Sequence, residues 1–259
     1  MTNLDTAVIT AVQAGQEIMK IYDRNFSVEY KDDKSPLTEA DRISNAIICE
    51  NLKDTYPIIS EENKLIEYAE RKDWKTCWLI DPIDGTKEFI KKNGEFTVNI
   101  ALVEDQIPVL GVIYVPALKE LYFASKEKGS FKVSEISDFT SFGELSAGAA
   151  KLPIAIKKEC YTVVASKSHL SPETEAYILE LEKEHGKISS TSKGSSLKLC
   201  MVAEGQADCY PRFAPTMEWD TAAGQAICMY AGKEVLDYKT QAPMLYNRKN
   251  LLNNWFLVR

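Results

Sequence analysis

The run Asp81-Pro82-Ile83-Asp84-Gly85-Thr86 constrains this chain more than any other stretch. The four residues before it, Cys77-Trp78-Leu79-Ile80, are apolar and read as a short strand ending at Asp81. Pro82 stiffens the turn that follows, and Gly85 allows a backbone approach that a side chain would block. Such a turn aims two carboxylates and the carbonyl between them the same way. Those are hard oxygen donors, which suit the octahedral preference of Mg²⁺. The plainer reading is a Pro-Asp-Gly turn with solvated acids, and these six residues alone leave both open. The three-residue spacing does separate the run from the D-x-D-x-T pattern of phosphatases that pass through an aspartyl phosphate.

Around this run the pattern mixes helix and strand. Residues 4–22 carry a helical stripe of Leu4, Val8, Val12, Ile18, Met19 and Tyr22. Residues 27–36 are polar and read as a loop. A second helix is expected from near Thr38 to about Asp54, and residues 61–73 read as a solvated helix or flap. Residues 97–103, 109–115 and 120–124 are β-rich and closely spaced, the pattern of an antiparallel meander. Residues 134–152 are poor in aromatics and rich in Ser, Gly and Ala, which suggests a boundary. Beyond it come a strand at 161–166, helices at 172–184 and 195–204, and a strand at 207–210. A helix at 221–231 follows, stopped by Gly232, with strands at 234–237 and 255–258. The expected fold is α/β, with an α+β sub-domain over 1–150 and an α/β sub-domain over 151–259.

Composition excludes several functions. Of the 259 residues, 31 are Lys or Arg and 38 are Asp or Glu, a net charge of −7 that disfavours broad nucleic-acid binding. It does not disfavour a small anion, because bound metal ions invert local charge. His169 and His185 are the only histidines, too few for a three-histidine zinc site. A Ser-His-Asp triad has no support either, since no G-x-S-x-G elbow occurs. The six cysteines include no C-x-x-C pair, and several sit in apolar runs, so reduced thiols and a cytoplasmic setting are expected. No apolar run approaches the ~18 residues of a membrane span. Peripheral attachment to the inner face of the plasma membrane stays open.

Three further acidic spots have ordinary explanations taken singly. Ser60-Glu61-Glu62 follows the apolar pair Ile58-Ile59 and reads as surface charge. Asp220, in Trp219-Asp220-Thr221-Ala222-Ala223-Gly224, reads as a helix N-cap. Thr38-Glu39-Ala40-Asp41 reads as a capping box.

In this order, however, the motifs D…EE…DPIDGT…WD-x-AA resemble one superfamily. It is that of the lithium-sensitive, Mg²⁺-dependent phosphatases: inositol monophosphatases, fructose-1,6-bisphosphatases and 3′(2′),5′-bisphosphate nucleotidases. Several stretches resemble the bacterial nucleotidase branch in particular. They are residues 84–90 and 93–102, Gly194-Ser195-Ser196-Leu197-Lys198, Ala203-Glu204-Gly205-Gln206-Ala207 and Tyr210-Pro211-Arg212-Phe213. The resemblance spans about residues 4 to 258.

The resemblance implies a layered αβαβα sandwich with the site between its two parts. It implies that Glu61, Asp81, the Ile83 carbonyl, Asp84 and Asp220 hold two or three Mg²⁺ ions. Asp41 and Thr86 would orient and help deprotonate an attacking water, with Glu61 assisting. The backbone N–H groups of Gly85 and Thr86 would bind the scissile phosphate. Ser195, Lys198 and Arg212 would contact a nucleotide, alongside Asp220, with His169 near the base or ribose. The plainer readings are an exposed helix residue for Lys198 and a snorkelling strand-end side chain for Arg212. Phe89 and Tyr210 are expected to be core packing. The activity implied is removal of the 3′-phosphate of adenosine 3′,5′-bisphosphate, a small nucleotide bisphosphate, by a monomer or weak dimer. Competing readings are an inositol or sugar monophosphatase, and a non-catalytic nucleotide or metal sensor.

Overall fold

In the computed structural model, residues 1–31, 35–136, 138–165 and 171–259 are described. Helix α1 (Asn3–Tyr22) buries Leu4, Val8, Val12 and Ile18, the stripe read from its sequence. Strands β1 (Val28–Tyr30) and β2 (Pro36–Thr38) pair antiparallel where an open loop was expected. Three residues carry too little alternation for such strands to be read from sequence. Helix α2 (Glu39–Leu52) starts at Thr38, whose hydroxyl and backbone N–H complete a capping box with Asp41.

Strand β3 (Ile58–Ser60) runs parallel to β4 (Thr76–Asp84). Between them lies α3 (Tyr68–Arg71), one helical turn rather than a long solvated helix. Arg71 is buried, and its guanidinium donates to Asn247 and to the carbonyls of Ile66, Arg248 and Lys249. This segment is therefore tied to a distant loop. The short helix α4 (Thr86–Ile90) leads to the meander β5 (Thr97–Glu104), β6 (Ile107–Val115), β7 (Glu120–Ser125) and β8 (Gly129–Val133). After α5 (Phe142–Ser146), β9 (Ala150–Lys151) completes a seven-stranded sheet of order β3-β4-β5-β6-β7-β8-β9.

The rest comprises β10 (Tyr161–Ala165), α6 (Pro172–His185), β11 (Ile188–Ser192), α7 (Leu197–Glu204), β12 (Tyr210–Arg212), α8 (Glu218–Tyr230), β13 (Val235–Asp237) and β14 (Phe256–Val258). β10 and β11 pair in parallel, and β14 lies antiparallel between β12 and β13. A bridge from Val163 to Cys209 brings these two small sheets together.

The alternation along β5 explains the layering. Val98, Ile100 and Leu102 pack with α1 and α2, while Ala101 and Val103 pack with α7 and α8. α8 lies across the large sheet, the small sheets lie beyond α7 and α8, and α6 covers them through Leu181, Tyr177 and Ile178. The order is helices, sheet, helices, sheets, helix: the expected αβαβα sandwich. Among the described residues, no helix is long and apolar enough to cross a membrane. All six cysteines are free, and Cys77, Cys200, Cys209 and Cys228 are buried.

Candidate active site

The site is built on an irregularity in β4. Its pairing with β5 runs in register to Asp81 opposite Asn99, then resumes at Asp84 opposite Thr97. Three steps on β4 thus match two on β5. Residues three apart on a regular strand point to opposite faces, and the bulge changes this. Asp81 consequently feels the negative charge of Asp84. The turn is pinned twice: Ile83 N–H donates to Asp81 Oδ1 at 3.1 Å, and Ser44 on α2 donates to the Pro82 carbonyl at 2.8 Å. Gly85 follows at φ +91°, and a Cβ there would stand 3.2 Å from the Glu95 carbonyl and from Ser195 Cβ. Only glycine meets both conditions without strain.

Glu61 comes from the end of β3, its N–H donating to the Ile80 carbonyl. Asp41 occupies the first turn of α2, 2% exposed, with Oδ2 accepting from Thr38 N–H (2.7 Å) and the Thr38 hydroxyl (2.6 Å). Thr86, first residue of α4, has its hydroxyl 3.3 Å from Asp41 Oδ1 and 3.3 Å from the Ile83 carbonyl. Asp220 is inside the first turn of α8, not its N-cap. The helix begins at Glu218, and Asp220 Oδ2 accepts from Met217 N–H at 2.9 Å. The helix start is earlier than the sequence suggested because Glu218 is held by N–H groups of Asn247 and Arg248, a distant interaction.

The electrostatics follow from crowding acids in a dry place. Burial pushes the Asp81 carboxyl well above its ordinary range, reinforced by the charges of Glu61, Asp84 and Asp220. Burial and the Asp84 charge do the same to Asp220. Burial raises Glu61, opposed by the Lys31 ammonium 2.9 Å away. Asp41 is pushed up to about 6 by burial, against the two hydrogen bonds from Thr38. The raised carboxyls and the Lys31 ammonium between Glu61 and Glu62 mark a surplus of negative charge that a divalent cation would neutralise. By donor chemistry, Glu61, Asp81, Asp84, Asp220 and the Ile83 carbonyl fit Mg²⁺. Among the described residues no three acids, imidazoles or thiols converge on one point closely enough to grip an ion. What is displayed is the donor set, not a closed coordination shell.

Beside these carboxylates lies a cavity of about 390 Å³ lined by Asp84, Gly85, Ser195, Lys198, Arg212 and Asp220, among others. Lys198 is 6% exposed, which sets aside the plainer reading of an exposed helix residue. Its ammonium donates to the carbonyls of Lys193 (3.1 Å) and Ser195 (2.5 Å) and lies over the Tyr210 ring. Burial lowers its pKa to about 8, against the raising charge of Asp84. Arg212, at the end of β12, donates from Nη2 to the Pro215 carbonyl, while its buried Nε has no partner among the described residues. The Ser195 hydroxyl is likewise buried without a partner there, on a backbone at φ +45°. Phe89 packs against Tyr22, Phe26 and Phe96, as expected. Tyr210 packs against Phe256 and also lines the cavity. His169 lies outside the described residues.

Sequence reasoning missed several groups around the site. Lys31 spans Glu61 and Glu62. Glu95 accepts from Gly194 N–H at 2.8 Å and pairs with Lys193, steadying the segment that carries Ser195. Ser196 and Asn99 stand directly behind Asp84. Both lie inside the stretches that resemble the nucleotidase branch, but nothing in their local spacing distinguishes them from ordinary polar residues.

Comparison with known proteins agrees with this architecture. The model of the inositol monophosphatase family matches residues 1–257. The 3′(2′),5′-bisphosphate nucleotidase CysQ of Salmonella typhimurium is 43% identical over 253 residues, 96% of each chain. The protein of the same name from Escherichia coli K12 is 40% identical over 261 residues, 98% of each chain. The crystal structure of CysQ from Bacteroides thetaiotaomicron, described as a bacterial member of the inositol monophosphatase family, superposes with a TM-score of 0.90. It is 49% identical, over 98% of this chain and 95% of that one. This chain belongs to the inositol monophosphatase family.

Proposed function

We propose that this protein is a 3′(2′),5′-bisphosphate nucleotidase that hydrolyses adenosine 3′,5′-bisphosphate to AMP and phosphate. The observation that carries the substrate is the cavity beside the carboxylates. A buried ammonium on Lys198, an unpartnered guanidinium N–H on Arg212 and an unpartnered hydroxyl on Ser195 all line it. The two unpartnered donors on Arg212 and Ser195 are costly to bury, and a second phosphate would satisfy both while giving the Lys198 ammonium a charged acceptor. The nucleotidase relatives at 40–43% identity support the same reading.

Divalent cations, Mg²⁺ by donor type, would supply charge neutralisation and lower the pKa of the attacking water. Glu61, Asp81, the Ile83 carbonyl, Asp84 and Asp220 would hold them. The chain's own groups do the rest. Asp41 accepts the Thr86 hydroxyl proton, which leaves the Thr86 oxygen lone pairs facing a water. The water then donates a proton toward Thr86 and Asp41 or toward Glu61, and its oxygen attacks phosphorus in line as the bond to the 3′-oxygen breaks; that oxygen takes a proton from solvent and leaves as the 3′-hydroxyl of AMP. The proton of Thr86 must choose between Asp41 and the Ile83 carbonyl, and the charged acceptor is the stronger. The N–H groups of Gly85 and Thr86 take the scissile phosphate oxygens.

In this reading residues 1–150 form a sub-domain carrying most metal ligands, and residues 151–259 one carrying Asp220 and the nucleotide contacts. Six free thiols, four of them buried, support a reducing, cytoplasmic setting. The test is phosphate release from adenosine 3′,5′-bisphosphate and from inositol 1-phosphate, with Mg²⁺ and with or without Li⁺. Preference for the inositol ester would overturn the substrate. Ligand-induced thermal stabilisation without turnover would overturn the activity.

A further inference from the structure

Behind Asp84 runs a buried polar chain. Thr97 and Asn99 are two apart on β5 and therefore face the same side. The Thr97 hydroxyl donates to Asn99 Oδ1 at 2.9 Å, which fixes the amide so that Nδ2 points away from Thr97. Nδ2 donates to Ser196 Oγ at 2.8 Å and lies 3.5 Å from Asp84 Oδ2. Ser196 Oγ in turn stands 2.6 Å from Asp84 Oδ2 and 2.8 Å from the Asp220 carbonyl. Thr97, Asn99 and Ser196 are 0%, 1% and 2% exposed.

The donor arithmetic is restrictive. Asn99 already donates to the serine oxygen, so Ser196 has one proton for two acceptors. A hydrogen bond to an ionised carboxylate is about twice as strong as one to a neutral carbonyl. The proton therefore goes to Asp84, and the network engages Oδ2 of that carboxylate. The same serine oxygen lies within reach of the backbone of α8 at Asp220. One side chain thus sits where the end of β4, β5, the start of α7 and the first turn of α8 meet.

We propose that Ser196 is a positioning residue. It sets the orientation of Asp84 for metal binding, beside the first turn of α8 that carries Asp220, while Thr97 and Asn99 fix the serine hydroxyl. This rests on the reading of Asp84 as a metal ligand. Partners that orient a ligand from behind typically change metal affinity or activity by about 10–100-fold when removed.

The experiment uses the full chain and three variants: Ser196→Ala, Thr97→Val and Asp84→Asn. Mg²⁺ binding is measured directly, by calorimetry and by the rise in melting temperature, without substrate. Phosphate release is then followed across Mg²⁺ concentrations. Ser196→Ala is expected to bind Mg²⁺ about tenfold more weakly, with the loss falling on Mg²⁺ dependence rather than on turnover at saturating Mg²⁺. Thr97→Val, isosteric and one hydrogen bond further out, is expected to shift the same way by less. A Ser196→Ala protein with the parent's Mg²⁺ affinity overturns the proposal, even if it melts lower. Should that variant not fold, an unshifted Mg²⁺ affinity in Thr97→Val overturns it instead. If Asp84→Asn binds Mg²⁺ like the parent, the ligand reading itself fails. If Asp84→Asn loses Mg²⁺ while Ser196→Ala keeps it, the positioning role alone fails.

Discussion

The hydroxyl of Thr86 stands 3.3 Å from Oδ1 of Asp41, joining the first turn of α4 to the first turn of α2 across 45 residues of sequence. Asp41 has a second job: its Oδ2 closes the capping box of α2. The two oxygens are thus divided between holding the helix and holding Thr86. Asp41→Asn keeps an oxygen for the cap but removes the charge that draws the Thr86 proton. It is expected to fold and to lose turnover by about 10²–10⁴-fold, the range for a positioned acid–base group. Thr86→Val should lose activity comparably. Phosphate release, with melting curves alongside, checks both; near-parental turnover in either would remove the pair from the mechanism.

The crowded carboxyls give a pH dependence opposite to that of most acidic groups. Asp41, Glu61, Asp81 and Asp220 are all raised, chiefly by burial. The folded state therefore binds more protons than the unfolded state, and stability falls as pH rises. For Asp41 the stabilising contribution is full below its unfolded value near 4 and is lost as pH passes about 6. In a chelator, the melting temperature is expected to fall as pH rises from about 4 through about 6. Mg²⁺ should flatten that slope, and Asp81→Asn should raise the chelated protein's melting temperature at neutral pH. A chelated protein that grows more stable across the same interval would contradict it.

Much of this is legible in the sequence alone. The cap of α2 follows from the Thr38-x-x-Asp41 spacing, and the DPIDGT run marks its own turn. What was hidden depended on distant partners. The nucleotide contact expected of Lys198 rested on resemblance; the plainer reading as an exposed helix residue fails because β12 and Tyr210, brought over it by the fold, bury it. The ordinary N-cap reading of Asp220 fails because the loop that lengthens α8 at Glu218 lies about 30 residues further on. Strands β8 and β11 went unread, since a Ser-rich run such as Ile188–Ser192 lacks apolar alternation and is fixed by pairing with β10. The bulge opposite Asn99 left no mark beyond Pro82 and Gly85.

Lys198 supplies a second titration, with the opposite sign. Its pKa is lowered to about 8 by burial, so the free protein loses this cation as pH rises through about 8. A bound phosphate needs the protonated form. The KM for adenosine 3′,5′-bisphosphate is therefore expected to climb above pH 8, approaching tenfold per pH unit, while turnover at saturation changes less. Lys198→Met should raise KM at neutral pH and erase that climb. It should matter far less for a substrate with one phosphate. Equal losses on both substrates would assign Lys198 to the reaction centre or to packing.

The seat of α8 offers a test of how Asp220 is delivered. Gly111 lies where β6 passes under the helix, and a Cβ there would stand 2.3 Å from the Ala223 carbonyl oxygen and 2.8 Å from Ala226 Cβ. Both are backbone or backbone-adjacent atoms with no flexible end to swing aside, so the helix itself must lift. Gly111→Ala is expected to cost ~1–3 kcal/mol as an overpacked core does. For a chain of this size that lowers the melting temperature by about 2–4 °C per kcal/mol. Because Asp220 rides on the first turn of the same helix, the Mg²⁺ concentration for half-maximal activity should rise as well. Gly148→Ala is the control: that glycine is exposed, and nothing lies within 4 Å of the added carbon. It should melt and titrate like the parent. A Gly111→Ala protein that does the same would show that α8 does not press on β6 there, and the helix could no longer be credited with fixing Asp220 against the end of β4.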